Sequence, residues 1–397
     1  MNIKINTLIV ICVSLILSAC SKTDPVISLG VSTDGRYVIS AHASKNAHPF
    51  QPVGQLVLWD IEKKEKKILS KEANAFSATF IPESHEFMWQ DAKDTVYIQN
   101  VSGQVIERFS HFKTKGHQMS ADKSFYLSAN TSGKLYKGHG ENMVPIYTDT
   151  PVSPLTPYNL SIAGNYFLSV GSDVSHRYAP PATTRLIVNP VNPDKHKKSS
   201  YDGVTLWDKN TLKPIAKLWG NNYKTAGLLS PDGKWVITGS ENYGRYMWST
   251  SNPNLRYSLA YAEDGIYNGE TETDDKSQLL PIPDKFKDKQ LIERNTTVAY
   301  AFVTETEFVQ FGMMHGKKDD SADELAPLYT VGDPWIKAYV EIGNDPAISV
   351  NYYQRKLSIS SSPTAHILVT GQATGGGINV YKYHPDKMEL EKIWVAD

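Results

Sequence analysis

SPDGKWVITGSENYGRYMWS, residues 230 to 249, holds a tight polar turn, a run of alternating apolar residues, a small-residue break and a second short run ending on Trp248. Alternation with period two marks a strand whose two faces meet different surroundings, and Pro-Asp-Gly marks the reversal before it. The arrangement recurs along the chain. STDGRYVISAH starts at Ser32, with LVLWD ending at Asp60; IPESHEFMWQ starts at Ile81, followed by TVYIQN; SADKSFYLSAN starts at Ser120, followed by GKLYKG. IAGNYFLSVGS starts at Ile162 and meets GVTLWD, ending at Asp208, after a long interruption. TETEFVQFG starts at Thr304, and SSPTAHILVTG at Ser361 with INVYKY after it. With the opening stretch these make seven units, and a fixed period of this size indicates an architecture built by repetition.

Each unit reads as four antiparallel strands, the last supplied by segments such as EKKILS or LKPIAKL. LWD at Leu58 to Asp60 and Leu206 to Asp208, with SPDG at Ser230 to Gly233, resembles the WD-repeat β-propeller family. The resemblance implies an all-β fold, a seven-bladed propeller spanning residues 26–397. That family also uses a Gly-His pair before the first strand, which only Gly116 and His117 supply here, and an Asp in the second turn that is mostly missing. Trp59, Trp207 and Trp248 are therefore expected as structural residues filling the gaps between blades, with packing outweighing the polar network. A helical solenoid needs apolar residues at helical spacing, and an immunoglobulin-like array needs modules of about 100 residues; neither pattern is present. The chain starts with a first strand and ends with a fourth, LEKIWVA, so the strand exchange that usually locks such a ring is expected to be absent.

Residues 1–19 carry one positive charge, Lys4, and an apolar stretch from Leu8 to Leu17 that is short for a bilayer span, the form of a secretory signal peptide. Leu17, Ser18, Ala19 and Cys20 resemble a bacterial lipobox. This implies lipidation of Cys20, by a diacylglyceryl group on sulfur and an acyl chain such as palmitate on the amine. Residues 20–25 are then the lipidated tether, and the lipid bilayer is the first partner. Ser21 resembles the residue that directs such proteins to the outer membrane. Cleavage removes Cys12 and lipidation consumes Cys20, which leaves the mature domain no thiol for a disulfide or a thiolate metal site. A formal charge of −1 and a pI near 6.8 give no general attraction to nucleic acid.

In a four-stranded antiparallel blade the connections after strands one and three lie on one face of the disc, and those after strands two and four on the other. The first set is short throughout: STDG, IPES, SADK, SPDG, DIEKKE, DKNTL. The second holds nearly all the inserted sequence, including 173–203, 263–295 and 313–327, with HASKNAHPFQPVGQ from His42 and GQATGGG from Gly371. Long loops confined to one face favour function there. Single aromatics in these inserts, Phe50, Tyr178, Tyr201, Tyr267 and Phe286, are the candidate binding residues, because exposed aromatics anchor protein interfaces. The first strand begins on this same face, which places it near the membrane.

The innermost strands read VISLGVS, AFSATFI, HQMS, YNLSI, TAGLLS, TVAYAFV and LSISSS, with one histidine, His117, and no carboxylate. Such an axis offers no acid-base pair, metal set or cofactor cradle. His42 and His48 lack a third ligand, Asp319 to Glu324 lack the glycine turn of a calcium loop, and Gly375 to Gly377 follow no strand-to-helix pattern. The sequence thus points to a lipid-anchored envelope propeller that binds a protein partner. The alternative is an envelope enzyme or small-ligand receptor with its site in the inserts, which a pocket gathering His176, Arg177, Asp208 and Glu270 would favour.

Overall fold

The computed structural model describes residues 25–44, 52–131, 134–146, 159–170, 172–173, 186–188, 204–218, 223–240, 245–253, 255–259, 280–281, 283–286, 296–313, 325–342, 358–372 and 376–397. They form seven antiparallel sheets, each holding four strands that pair in chain order, as the seven units predict. The first strands touch one another in sequence around an axis, and blade seven returns to blade one. One apolar cluster fills each of the seven gaps between blades. Trp59 packs there against blade seven, Trp207 against blade three and Trp248 against blade four, all at most 1% exposed.

These tryptophans keep a polar bond as well. Each indole N–H donates to a hydroxyl on the second strand of its own blade: Ser40 Oγ at 2.8 Å, Ser169 Oγ at 2.9 Å and Thr238 Oγ1 at 2.9 Å. Each tryptophan thus joins its packing between blades to one polar contact within its own blade. A buried indole N–H without an acceptor is costly, and a small hydroxyl on the neighbouring strand is the acceptor that fits between sheets. The Gly-His pair also moves. Gly116 and His117 lie inside the innermost strand of blade three, Thr114–Met119, and not ahead of it.

One face consists of tight turns fixed by their own side chains. Ser32, Ser120 and Ser230 each donate to the Asp two residues on, at 2.5 to 2.6 Å, and each accepts the backbone N–H five residues on. Gly35 and Gly233 take φ of 71° and 70°, where a side chain would strain. Asp60 and Asp208, the acids of the two LWD matches, accept backbone N–H groups of the following turn.

The opposite face carries the long connections. The second strand of blade six ends at Met313 and the third begins at Leu325, so that connection is residues 314–324, shorter than expected from the sequence. Two further long connections, 147–158 and 343–357, join this face between blades three and four and between six and seven. The insert after the second strand of blade four supplies two short strands to blade five: Ser172–Asp173 pairs with its innermost strand and Leu186–Val188 with its outermost.

The ring closes without strand exchange. Val26 N–H donates to Gln372 O at 3.0 Å, Ser358 Oγ to Val26 O at 2.9 Å, and Val31 N–H to Ser360 Oγ at 3.2 Å. Trp394 meets Trp59 edge-on at 6.1 Å, and Lys66 reaches the carbonyl of Asp397.

Candidate functional site

The first strands enclose a central cavity of about 300 Å³. Small and polar residues are common where the innermost strands converge on the axis. The wall includes Ser28, Ser77, Thr79, Gln118, Leu160, Ala226, Ala301, Ser358 and Ser360.

Three wall residues among the described ones carry ionisable side chains: Lys115, His117 and Tyr300, whose hydroxyl donates to Thr238 O at 3.0 Å. Nε2 of His117 donates to the backbone carbonyl of Ser77 at 2.6 Å, since a carbonyl only accepts. Nδ1 therefore accepts from the Tyr126 hydroxyl at 3.0 Å. Burial pushes the imidazole down to about 4 and the Tyr126 hydroxyl up. His117 is thus a neutral strut between blades two and three, whose apolar cluster has only five buried residues. Beside it, Phe109 stacks on His139 at 4.1 Å and meets Tyr126 edge-on at 5.6 Å, completing that interface with aromatic contacts.

Lys115 was not foreseen. It is 4% exposed, and burial holds its ammonium below the ordinary lysine range. The innermost strand of blade three begins at Thr114, three residues before the segment the alternation suggests, and that of blade five begins at Tyr223, which brings Lys224 into it. The signal was present as two lysines next to apolar runs, but a lysine at a strand start reads as loop.

Of the residues expected on the looped face, Phe50, Tyr178, Tyr201, Tyr267 and the lipidation site Cys20 lie outside the described residues. Phe286 is corrected: it is 7% exposed, at the end of the short 3-10 helix Asp284–Phe286, inside the cluster between blades five and six. Its segment is pinned down on both sides. Tyr339 Oη donates to Leu280 O at 3.1 Å, and Lys285 Nζ pairs with Glu389 of blade seven at 3.3 Å. Phe286 is a packing residue, because the insert runs back onto the blades at this point. Asp208 belongs to a turn on the opposite face, hydrogen bonded by Asn210 and Thr211; His176, Arg177 and Glu270 lie outside the described residues.

Both ends of the first and second strands fix which face is which. Val26 pairs with His42, immediately before residues 43–52, and bonds to Gln372, immediately before residues 373–377. The described chain thus enters the fold on the looped face.

No protein-family model matches the chain, and no characterised protein matches it in sequence. Solved structures do match. A chain in a crystal structure of a mitotic checkpoint complex superposes with a TM-score of 0.55 at 11% identity, over 92% of this chain and 90% of that one. Hsv2 from Kluyveromyces lactis, with its loop 6CD complete, gives 0.54 at 9% identity, covering 94% of this chain and 99% of that one. Hsv2 from Kluyvelomyces marxianus gives 0.53 at 8% identity over the same shares. At such identities the likeness is one of fold: the chain is a WD-repeat-like seven-bladed β-propeller.

Proposed function

We propose that this chain is a lipid-anchored binding module of the bacterial cell envelope, held at the outer membrane through Cys20, whose looped face receives a protein partner. The observation that carries the reading is the asymmetry of the disc. One face is built of short turns locked by their own Ser and Asp side chains, and the long connections and the entry of the first strand share the other. Rigid blades present such loops at little entropic cost on association. Residues 21–25 span at most about 18 Å when extended, so an acylated Cys20 keeps that face near the bilayer.

The test is crosslinking in intact envelopes. The lipidated chain is expected to fractionate with membranes and to capture a defined partner, Cys20→Ser to become soluble, and a chain with residues 176–201 replaced by a Gly-Ser linker to stay at the membrane but lose the partner. Capture undiminished by loop replacement removes the looped face as the binding surface, and membrane association unchanged in Cys20→Ser removes the anchor.

A further inference from the structure

Three of the described histidines meet at one tyrosine. His111 lies in the connection between the outermost strand of blade two and the innermost strand of blade three, His117 on that innermost strand, and His139 beyond the third strand of blade three. Their rings stand 5.5, 5.8 and 5.7 Å from Tyr126, each edge-on, and Phe109 of blade two closes the group against Tyr126 and His139. This seam has the least apolar packing: among the described residues, five buried ones form its cluster, against eight to thirteen at each of the other six.

The surroundings of the two inner rings suit neutral imidazoles. Nε2 of His111 meets Ser128 Oγ of blade three at 3.0 Å, and its Nδ1 is buried with no hydrogen-bond partner. A proton there creates a buried donor without an acceptor, beside two more imidazoles. Burial first, then His117 and His139, hold the His111 imidazole down at about 4, and burial does the same to His117. His139 has a side chain 32% exposed, with Glu107 of blade two 3.8 Å from its Nδ1. The other charged side chains on the elements packed here are Arg108 on the outermost strand of blade two, Asp94 in its preceding turn, Lys113 and Lys115 at the start of the innermost strand, and Lys137 on the third strand of blade three. One tie across the seam carries no titratable group. Gln90 of blade two donates through Nε2 to Phe112 O at 2.8 Å and accepts the Thr114 N–H at 3.0 Å.

We propose that the seam between blades two and three is an acid-operated hinge. Protons taken up by His111 and His117 part the two blades around Tyr126, with the Gln90 contacts as pivot, while the other blades keep their packing. The sign follows from the closed form holding both rings neutral: closure is complete above about 6.5 and is lost as pH falls towards 4. The hinge stands independently of a partner on the looped face.

The test uses a thiol placed in the seam of the full chain. Met88→Cys puts it in the cluster between blades two and three, and Val309→Cys puts it in the cluster between blades six and seven, both at fully buried positions. Labelling by 4,4′-dithiodipyridine is measured for both at each pH, with the parent chain as background, so that the ratio of the two rates cancels the pH dependence of the thiol reaction. Between pH 7.5 and 5 the ratio of seam to control is expected to rise about 30-fold for each histidine that opening frees to ionise, and His111→Gln with His117→Gln to abolish the rise. A ratio that stays constant with both histidines present overturns the proposal, as does a rise that survives in the folded double variant. Should the double variant not fold, His111→Gln alone decides in its place: a shallower rise supports the hinge, an unchanged one overturns it.

Discussion

The seam between blades seven and one is the only place where the ring depends on contact without a chain connection between neighbouring blades, and Gly371 offers a way to load it. A Cβ at Gly371 would sit 2.5 Å from Val26 Cγ1 and 2.6 Å from Val26 Cβ. The φ of Gly371 is not in the left-handed region, so alanine itself fits the backbone and the whole effect is steric. Overpacking of this kind costs about 1–3 kcal/mol. Val26→Ala deletes Cγ1 but leaves Cβ in place at 2.6 Å, so a clash remains. Val26→Gly removes both atoms. Gly371→Ala combined with Val26→Gly is therefore expected to be more stable than the sum of the two single losses by at least about 1 kcal/mol, well beyond the ~0.3–0.5 kcal/mol scatter of independent sites. Urea midpoints of the four variants measure the coupling, and hydrogen exchange of the Val26–Val31 amides shows where it acts. Gly227→Ala is the control, since its Cβ would meet Val170 Cγ2 at 2.7 Å across the seam of blades four and five, which the chain itself bridges. That variant should lose overall stability without selective loss of protection in the first strand. Additivity of Gly371→Ala and Val26→Gly would refute the seam contact as the point where the ring is held.

Two further effects follow from buried polar groups. Ser169→Ala leaves the indole N–H of Trp207 buried without its acceptor and should destabilise the chain by about 1–3 kcal/mol, whereas adding Trp207→Phe should cost less than the two single losses combined, as read in a urea double-mutant cycle. His117 is held near 4 by burial against about 6.5 in the unfolded chain, so its contribution is complete above the unfolded value and is lost as pH falls from 6.5 towards 4. Between pH 7.5 and 5 this amounts to about 2 kcal/mol from that one group. His117→Gln, which retains a donor for Ser77 O, should flatten the loss; a urea midpoint whose fall over this interval is the same in both chains removes His117 as the origin.

Much of the architecture was legible because its signals are local. The Ser-x-Asp-Gly turns are closed by side chains two and five residues apart, so they announce themselves wherever they occur, as at Ser32 and Ser230. Trp59, Trp207 and Trp248 sit at one place in a repeating strand, and repetition alone assigns them to the gaps between blades. Lys115 was not legible, since the innermost strand of blade three is buried on both faces along nearly its whole length and so lacks the alternation that identifies strands elsewhere. Phe286 lies in a proline- and lysine-rich insert whose composition does not say which way an aromatic faces. Tyr339 and the cluster between blades five and six decide that, from a distance the sequence does not display. The strand Leu186–Val188 is three apolar residues between polar runs, too short to reveal pairing with an outer edge of another blade.

The first strand joins three properties that are separate in most of the ring. Its start enters from the looped face, its backbone forms the closing seam with Gln372 and Ser358, and its residues Ile27, Ser28 and Leu29 line the channel. Ser360 belongs to the same conjunction, for its hydroxyl accepts from Val31 and faces the same cavity. Since Val31 N–H finds its acceptor in Ser360 Oγ and Ser358 Oγ donates to Val26 O, the side chains that close the seam and the residues that line the channel are in part the same.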